Sequence, residues 1–570
     1  MKKLLLIVVT FTCVVTTNAQ TSIAGDYLDI NNVKAWISAD GVLFGNALGL
    51  EIPKGSGNNL PATNSLWIGG LDSGGSLKLA AQTYRQTGND FWPGPVMNSG
   101  SYSATTDAQW NRVWKINKTT IDSFVVFFTT GLPIGYTVPQ IILDWPGNGN
   151  TSLGQSPKLA PFVDVNSDGL YNPTTNGDYP LIKGDQAVLF IFNDDRNLHT
   201  ETGGGRLDLE ILGLAYSFNC PDSALQHTIF VHYDIINKSA FTIDSTIITN
   251  WIDMDLGNGS DDFLGTDVTR ASYYFYNGDS LGASSYGLYA PAEGIVFLRG
   301  PLADSNGIDD AALTTPNGLG YGDGIADNEY LGMKNTISFV NNFSAYNSNP
   351  IGAIQYYTYM NCNWLDGTPL MYGGNGHLTG TVSNYIFPWN SDPLWFGTGG
   401  IPQSNWDQTA AGSVLADIRG VGSYSPFTMQ PGSSTEIDLA YVFGRDYVNP
   451  GNLPGVAIMK TRIDSIRSFY YNNLTPCGQL LFASVPIQVI SNNNSLSIYP
   501  NPAKENITIN FTSSSKNVSV RIYDATGRLV KNIHIQSGEN SINISELENG
   551  LYLLNLQDGN NSVTKRFVKQ

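Results

Sequence analysis

Residues 207–252 read LDLEILGLAYSFNCPDSALQHTIFVHYDIINKSAFTIDSTIITNWI, and their pattern decides the fold. Three runs rich in β-branched and aromatic residues stand here: Leu207–Asn219, Thr228–Ile236 and Thr242–Ile252. Short stretches carrying Pro, Asp, Asn and Ser separate them. Apolar and polar residues alternate along parts of these runs, the period-2 signature of a strand with one face buried. Further strand-like runs lie at Phe124–Thr129, Ala187–Asn193 and Ile437–Phe443. Residues 20–490 therefore predict a mostly β, large β-sandwich-type region, in one domain or in two with a seam near residues 255–260. One stretch has a different period. Val456, Met459, Ile463, Ile466 and Tyr470 fall near one helical face, so Val456–Tyr471 is the one helix candidate. Pro454 sits just ahead of it, where a helix start tolerates proline.

Composition agrees with exposed β architecture. Only 14% of residues are charged, 11% are aromatic, and Gly and Pro number 60 and 28, which argues against a helical or disordered chain. The formal net charge is -18. Residues 496–570 hold eight Lys or Arg against six Asp or Glu, so the acidity belongs to the middle of the chain. An acidic body repels phosphate backbones, which excludes nucleic acid as a partner, and it attracts cations. The same acidity also serves solubility. Of Cys13, Cys220, Cys362 and Cys477, the first lies in the leader described next. The remaining three allow at most one disulfide and leave a spare thiol. No CxxC pair is present to suggest a zinc or redox site of that kind.

Both ends carry addresses. Met1–Ala19 has Lys2 and Lys3, an apolar run Leu4–Val15, and Thr17-Asn18-Ala19 before Gln20. This order predicts a secretory signal peptide over residues 1–19. No other apolar run approaches the roughly 18 residues of a membrane helix. At the far end, Asn492-Asn493-Asn494 forms a polar hinge. Seven short strands are predicted beyond it: Leu496–Tyr499, Ile507–Phe511, Val518–Tyr523, Leu529–Ile535, Ser541–Ile544, Tyr552–Leu556 and Val563–Val568. That spacing predicts a small Ig-like antiparallel β-sandwich over residues 496–570.

Four landmarks in this segment carry a resemblance. They are Tyr499-Pro500-Asn501-Pro502-Ala503, Tyr523-Asp524-Ala525-Thr526-Gly527-Arg528, Leu547-Glu548-Asn549-Gly550-Leu551-Tyr552 and Lys565-Arg566-Phe567-Val568-Lys569. The segment resembles the type A C-terminal sorting domain of the type IX secretion system, the Por secretion system tail. The resemblance implies passage through the periplasm and the outer membrane, contact with the type IX secretion machinery, and a mature protein outside the cell or on its surface. It also implies the sorting-motif residues: Tyr499, Pro500, Asn501, Pro502, Gly527, Arg528, Gly550, Tyr552, Lys565 and Arg566. In the middle, Trp67-Ile68-Gly69-Gly70-Leu71-Asp72, Asp90-Phe91-Trp92-Pro93-Gly94-Pro95, Gly184-Asp185-Gln186-Ala187, Asp253-Met254-Asp255-Leu256-Gly257 and Asp366-Gly367-Thr368-Pro369 resemble a group of large proteins exported by the same system. That likeness implies a shared fold and no activity.

The strongest chemical pattern is Asp164-Val165-Asn166-Ser167-Asp168-Gly169. Three oxygen-bearing side chains at alternate positions, then glycine, suit a loop that wraps calcium. Leu170 offers a carbonyl, Asn172 a side-chain oxygen, and Asp178 can close the shell. Thr175 stands where an EF-hand has its bidentate Glu, so a helix-free calcium loop is expected. An acidic surface turn fits the same residues. Asp253, Asp255, Asp261 and Asp262, with Asp267 near, form a second cluster, whose repulsion needs a cation, protonation or exposure. Asp304, Asn306, Asp309, Asp310, Asp323, Asp327 and Glu329 form a third set in a Gly-rich loop.

His227 and His232, five apart on one predicted strand, point to opposite faces and make poor joint ligands. His199 and His377 can meet only by folding. No HExxH motif is present. The chain thus reads as a secreted or cell-surface binding or structural protein, stabilised by calcium, with a glycan or surface protein as ligand. An extracellular hydrolase acting on polysaccharide is the alternative, motivated by paired carboxylates and abundant aromatics. A role beside gliding or secretion machinery at the outer membrane is the third.

Overall fold

Where Leu207–Asn219 predicts a strand, Leu209–Ser217 forms one, buried along its whole length. It pairs antiparallel with Gln186–Asn193 on one side and Thr228–Asn237 on the other. The computed structural model describes residues 22–481 and 497–570, apart from short segments at 46–48, 61, 85–86, 132, 280–285, 312–317, 342–343, 512–517, 525–528 and 559–560. The leader and the Asn492–Asn494 hinge lie outside the described residues. The chain divides into two compact units, Met1–Leu481 and Phe482–Gln570.

Two antiparallel sheets dominate the first unit, and the protein is mostly β. In the nine-stranded sheet the main order is 262–267, 272–277, 292–299, 434–444, 228–237, 209–217, 186–193 and 92–93. The other sheet has six strands, with main order 333–340, 418–424, 243–254, 62–71 and 77–80. Strands from both sides of residues 255–260 pair within each sheet. The facing sides share one apolar core. Tyr233, Ile235, Leu439 and Phe297 come from the first sheet, and Trp67, Trp251, Phe339 and Val421 from the second. A polar bridge crosses this core: Asn250 Nδ2 donates to the Tyr441 hydroxyl (2.9 Å), and the Tyr273 hydroxyl donates to Asn250 Oδ1 (2.6 Å). Buried hydroxyls and amides need such partners, which fixes the two sheets in register.

The helix candidate forms, over Leu453–Tyr471, with Pro454 in its first turn. Val456, Met459, Ile463, Ile466 and Tyr470 are all buried, the face that periodicity marked. It lies across the nine-stranded sheet, where Gly294 and Gly444 leave room for it. One expectation fails. Phe124–Thr129 is not a strand but part of the helix Lys118–Thr130. Ile121 and Phe124 are buried while Val126 and Phe128 are exposed, a helical spacing that a short apolar run conceals. Four further α-helices join these two among the described residues, at 104–110, 140–143, 173–176 and 353–360. Cys220 and Cys477 form a disulfide, and Cys362 is the buried spare thiol. Burial pushes that thiol's pKa upward, which keeps it unreactive.

In the second unit all seven predicted strands are present, with shifted ends. Strands 497–499, 506–511 and 538–543 form one sheet, and 529–535, 518–524, 550–558 and 561–569 the other. Their core holds Ile507, Ile509, Val520, Ile522, Leu554 and Phe567.

Candidate functional site

The Asp164–Asp178 loop joins the short paired strands Phe162–Val163 and Tyr179–Pro180. The Asp164 carboxylate accepts from the amides of Asp168 (3.2 Å) and Gly169 (2.7 Å). Gly169 has φ 83°, the left-handed turn that glycine permits. Asp168 accepts from the Leu170 amide and from the Asn166 and Asn176 side-chain amides. Those bonds, the one from Asn166 foremost, hold its carboxyl below the usual range. Asp178 is fully buried and spends both oxygens on the amides of Val165 and Asn172. The structure thus brings Asp164, Asn166 and Asp168 into one turn, with Asp178 as a staple beneath it. Asn172 caps the Pro173–Asn176 helix by position, and the Leu170 side chain is exposed. The oxygens of this loop already have amide partners.

The second cluster is different. Asp253 is the last residue but one of the strand Ile243–Met254, Asp255 follows that strand, and Asp262 opens the strand Asp262–Asp267. Pairing of 243–254 with 418–424 adds Asp417, which sequence reading missed. Carboxylate oxygens of Asp253, Asp255 and Asp417 lie within 4.8 Å of one another. Arg419, 1% exposed, supplies positive charge: Nη2 stands 3.1 Å from Asp253 Oδ2, and Nη1 2.6 Å from Asp417 Oδ1. Three buried oxygens, Asp253 Oδ1, Asp261 Oδ1 and Asp262 Oδ1, have no hydrogen-bond partner. Asp262 is 1% exposed, and the nearest donor to its other oxygen is the Leu256 amide at 3.4 Å.

The electrostatics follow from this crowding. Burial, with Asp255 and Asp417 adding repulsion against Arg419, pushes Asp253 up to about 7. Burial and Asp417 push Asp255 up to about 6. Burial, then the charges of Asp255, Asp261 and Asp253, raise Asp262 well above its ordinary value. Burial raises Asp261 too, against the hydrogen bond that the Asn258 side chain donates to it. A buried carboxylate that lacks a partner must either hold a proton or meet a cation. The donor set is all oxygen, which suits calcium rather than a soft metal.

Most of the third set is exposed: Asp309 accepts from the amides of Gly322 and Gly324, Asp327 from those of Asn306 and Gly307, and Asp304 from Thr428, while Glu329 is buried and accepts from the Asp310 amide. The remaining histidines are apart. His199 is buried beside Asp194, and His377 stacks on Tyr346 beside Asp366. His227 ends the helical turn Leu225–His227 and so is not on the strand Thr228–Asn237 that carries His232, which corrects the expectation of one shared strand.

In the second unit the landmarks converge on the last strand. The Ala503 amide donates to the Val568 carbonyl (2.8 Å), and the Val568 amide to Asn501 Oδ1 (2.9 Å). Tyr499 is 43% exposed, with Pro500 and Pro502 on either side of Asn501. Gly550 starts the strand Gly550–Asp558, and Tyr552 stacks on Phe567 at 5.5 Å. Lys565 is exposed and Arg566 follows it in the strand Asn561–Lys569. Gly527 and Arg528 lie outside the described residues. Among known families, the model of the secretion system C-terminal sorting domain matches residues 497–570. Residues 497–570 are a secretion system C-terminal sorting domain. The sorting domain marks the chain for export by the type IX secretion system, to the cell surface or beyond. No curated protein matches the chain. Among solved structures it is similar to a polysaccharide lyase (8% identity, TM-score 0.18, 69% of this chain and 37% of that one). It is also similar to the dimeric latent PorU of Porphyromonas gingivalis (9% identity, TM-score 0.12, 67% of this chain and 31% of that one). The chain thus spans about a third of each of these proteins, and likenesses this faint carry no argument. No helix among the described residues is long and apolar enough to cross a membrane.

Proposed function

We propose that the first unit is a binding or structural protein of the cell surface or its surroundings, stiffened by calcium held between Asp253, Asp255 and Asp417. The observation that carries this reading is the set of buried, unpartnered oxygens on Asp253 and Asp262 beside only one guanidinium. An uncompensated buried charge costs several kcal/mol, about what a bound divalent ion returns. The cation would tie the end of strand 243–254 to the start of its neighbour 418–424, so its binding is also a contribution to folding. Export supports the ion's identity, since calcium is abundant outside cells. The same burial disfavours these carboxylates as a hydrolytic pair: at 1% and 8% exposure, Asp262 and Asp253 cannot reach a polymer. The sorting domain serves as the handle for the secretion machinery, with Tyr499, Pro500, Asn501, Pro502, Gly550, Tyr552, Lys565 and Arg566 as its motif residues.

Calorimetric titration of the chelator-treated full chain with calcium tests this. A saturable site is expected, weakened at least tenfold by Asp417→Asn, whose side chain is partly exposed. No calcium heat, or equal affinity in the variant, refutes the site.

A further inference from the structure

A second group of ligand atoms lies on the other face of the nine-stranded sheet, and an observation independent of the calcium reading carries it. His232 and Asp234 stand two apart on the strand Thr228–Asn237, so their side chains share a face. Glu436 and Asp438 stand two apart on the strand Ser434–Gly444. Register sets His232 opposite Asp438 and Asp234 opposite Glu436. Four chemistry-bearing side chains therefore form a square on one surface.

Asp438 is 1% exposed and serves as the square's fixed corner. The Tyr470 hydroxyl donates to its Oδ2 (2.7 Å), and Lys183 Nζ stands 3.6 Å from its Oδ1. Asp438 Oδ1 meets His232 Nδ1 at 2.9 Å. That bond orients the imidazole and turns Nε2 toward Asp234, whose Oδ1 is 3.4 Å away. A carboxylate on the far nitrogen is the usual support of a metal-binding histidine.

The spacing is informative. An N–H···O hydrogen bond closes to about 2.9 Å. Two ligands each about 2.1 Å from a tetrahedral zinc ion stand about 3.4 Å apart. Ligand atoms of His232, Asp234 and Glu436 all lie within 4.8 Å of one another. Glu436 is also 2.7 Å from Arg299 through Oε2, so that carboxylate must turn slightly to complete the set.

We propose that His232, Asp234 and Glu436 bind one divalent ion of zinc's class, with Asp438 as the residue that positions His232. One nitrogen and two carboxylate oxygens make a harder set than thiolates and a softer one than the oxygen-only cluster, which favours zinc over calcium here. The Asp234 and Glu436 side chains are 34% and 42% exposed, while His232 is 11% exposed. The ion therefore faces solvent on one side, and its fourth position is open to water or an anionic ligand. Any hydrolytic activity of this unit would be sited here rather than at the sealed cluster.

Zinc titration of the chelator-treated full chain, in excess calcium to keep oxygen sites filled, tests the proposal. One zinc per chain is expected. Asp234→Asn and Glu436→Gln lie at half-open positions where folding tolerates them, and each should weaken zinc binding at least tenfold while leaving calcium affinity unchanged. Asp438→Asn should weaken zinc about 10- to 100-fold through loss of imidazole support. Absence of saturable zinc binding overturns the proposal, as does zinc affinity equal in the wild type, Asp234→Asn and Glu436→Gln.

Discussion

His199 shows how far a single side chain can be read once its surroundings are known. It is buried, with Nδ1 2.7 Å from the Leu79 carbonyl and Nε2 2.9 Å from the Asp194 carbonyl. Carbonyls only accept, so both ring nitrogens must donate, and only imidazolium has two donors. Burial opposes that charge, but the Asp194 and Asp90 carboxylates overcome it and push the pKa up to about 9. A folded-state value above the unfolded 6.5 stabilises fully below pH 6.5, and the gain is lost as pH rises through 9. The shift corresponds to about 3 kcal/mol. Denaturant unfolding of the wild type should therefore weaken by at least that order between pH 6 and pH 9.5, and His199→Gln should reduce the change by about 3 kcal/mol, leaving the share of His232, which, against burial, Asp438 and Asp234 push up to about 9 as well. Sequence offered His199 only as a residue that can meet His377 by folding; its true partners are over a hundred positions away at Leu79 and close by at Asp194. Asp253, Asp255, Asp261 and Asp262 were legible because they are neighbours in the chain. Asp417 and Arg419 were not, since they arrive through the pairing of distant strands.

At the scale of elements, the helix Leu453–Tyr471 was legible because its apolar stripe has a single partner face. Its partner sheet also records the contact: a Cβ on Gly444 would stand 2.4 Å from the Met459 amide nitrogen and 2.5 Å from the Gly455 carbonyl oxygen. Backbone cannot yield as a flexible side chain does. Gly444→Ala should cost about 1–3 kcal/mol, measured as a lower denaturant midpoint at unchanged slope. The helix Lys118–Thr130 was misread as a strand because Phe124–Thr129 is short and apolar, and periodicity alone does not separate the two. The seven strands of the sorting domain were readable because short apolar-polar alternating runs lie between turn residues there. The pairing of 434–444 with both 228–237 and 292–299 had no local signal, so the square of His232, Asp234, Glu436 and Asp438 was hidden.

Over the whole molecule, charge and compartment point the same way. A net charge of -18 sits mostly on the first unit, the sorting domain carries the address, and the Cys220–Cys477 bridge suits an oxidising destination. In such a place calcium can settle the buried carboxylates that the protein alone leaves uncompensated, and ligand binding to the folded state alone raises stability by mass action. Thermal unfolding of the full chain in chelator and in millimolar calcium tests this most directly. The account predicts a midpoint several degrees higher in calcium, with most of that gain lost in Asp417→Asn. An identical midpoint in chelator and calcium would contradict it.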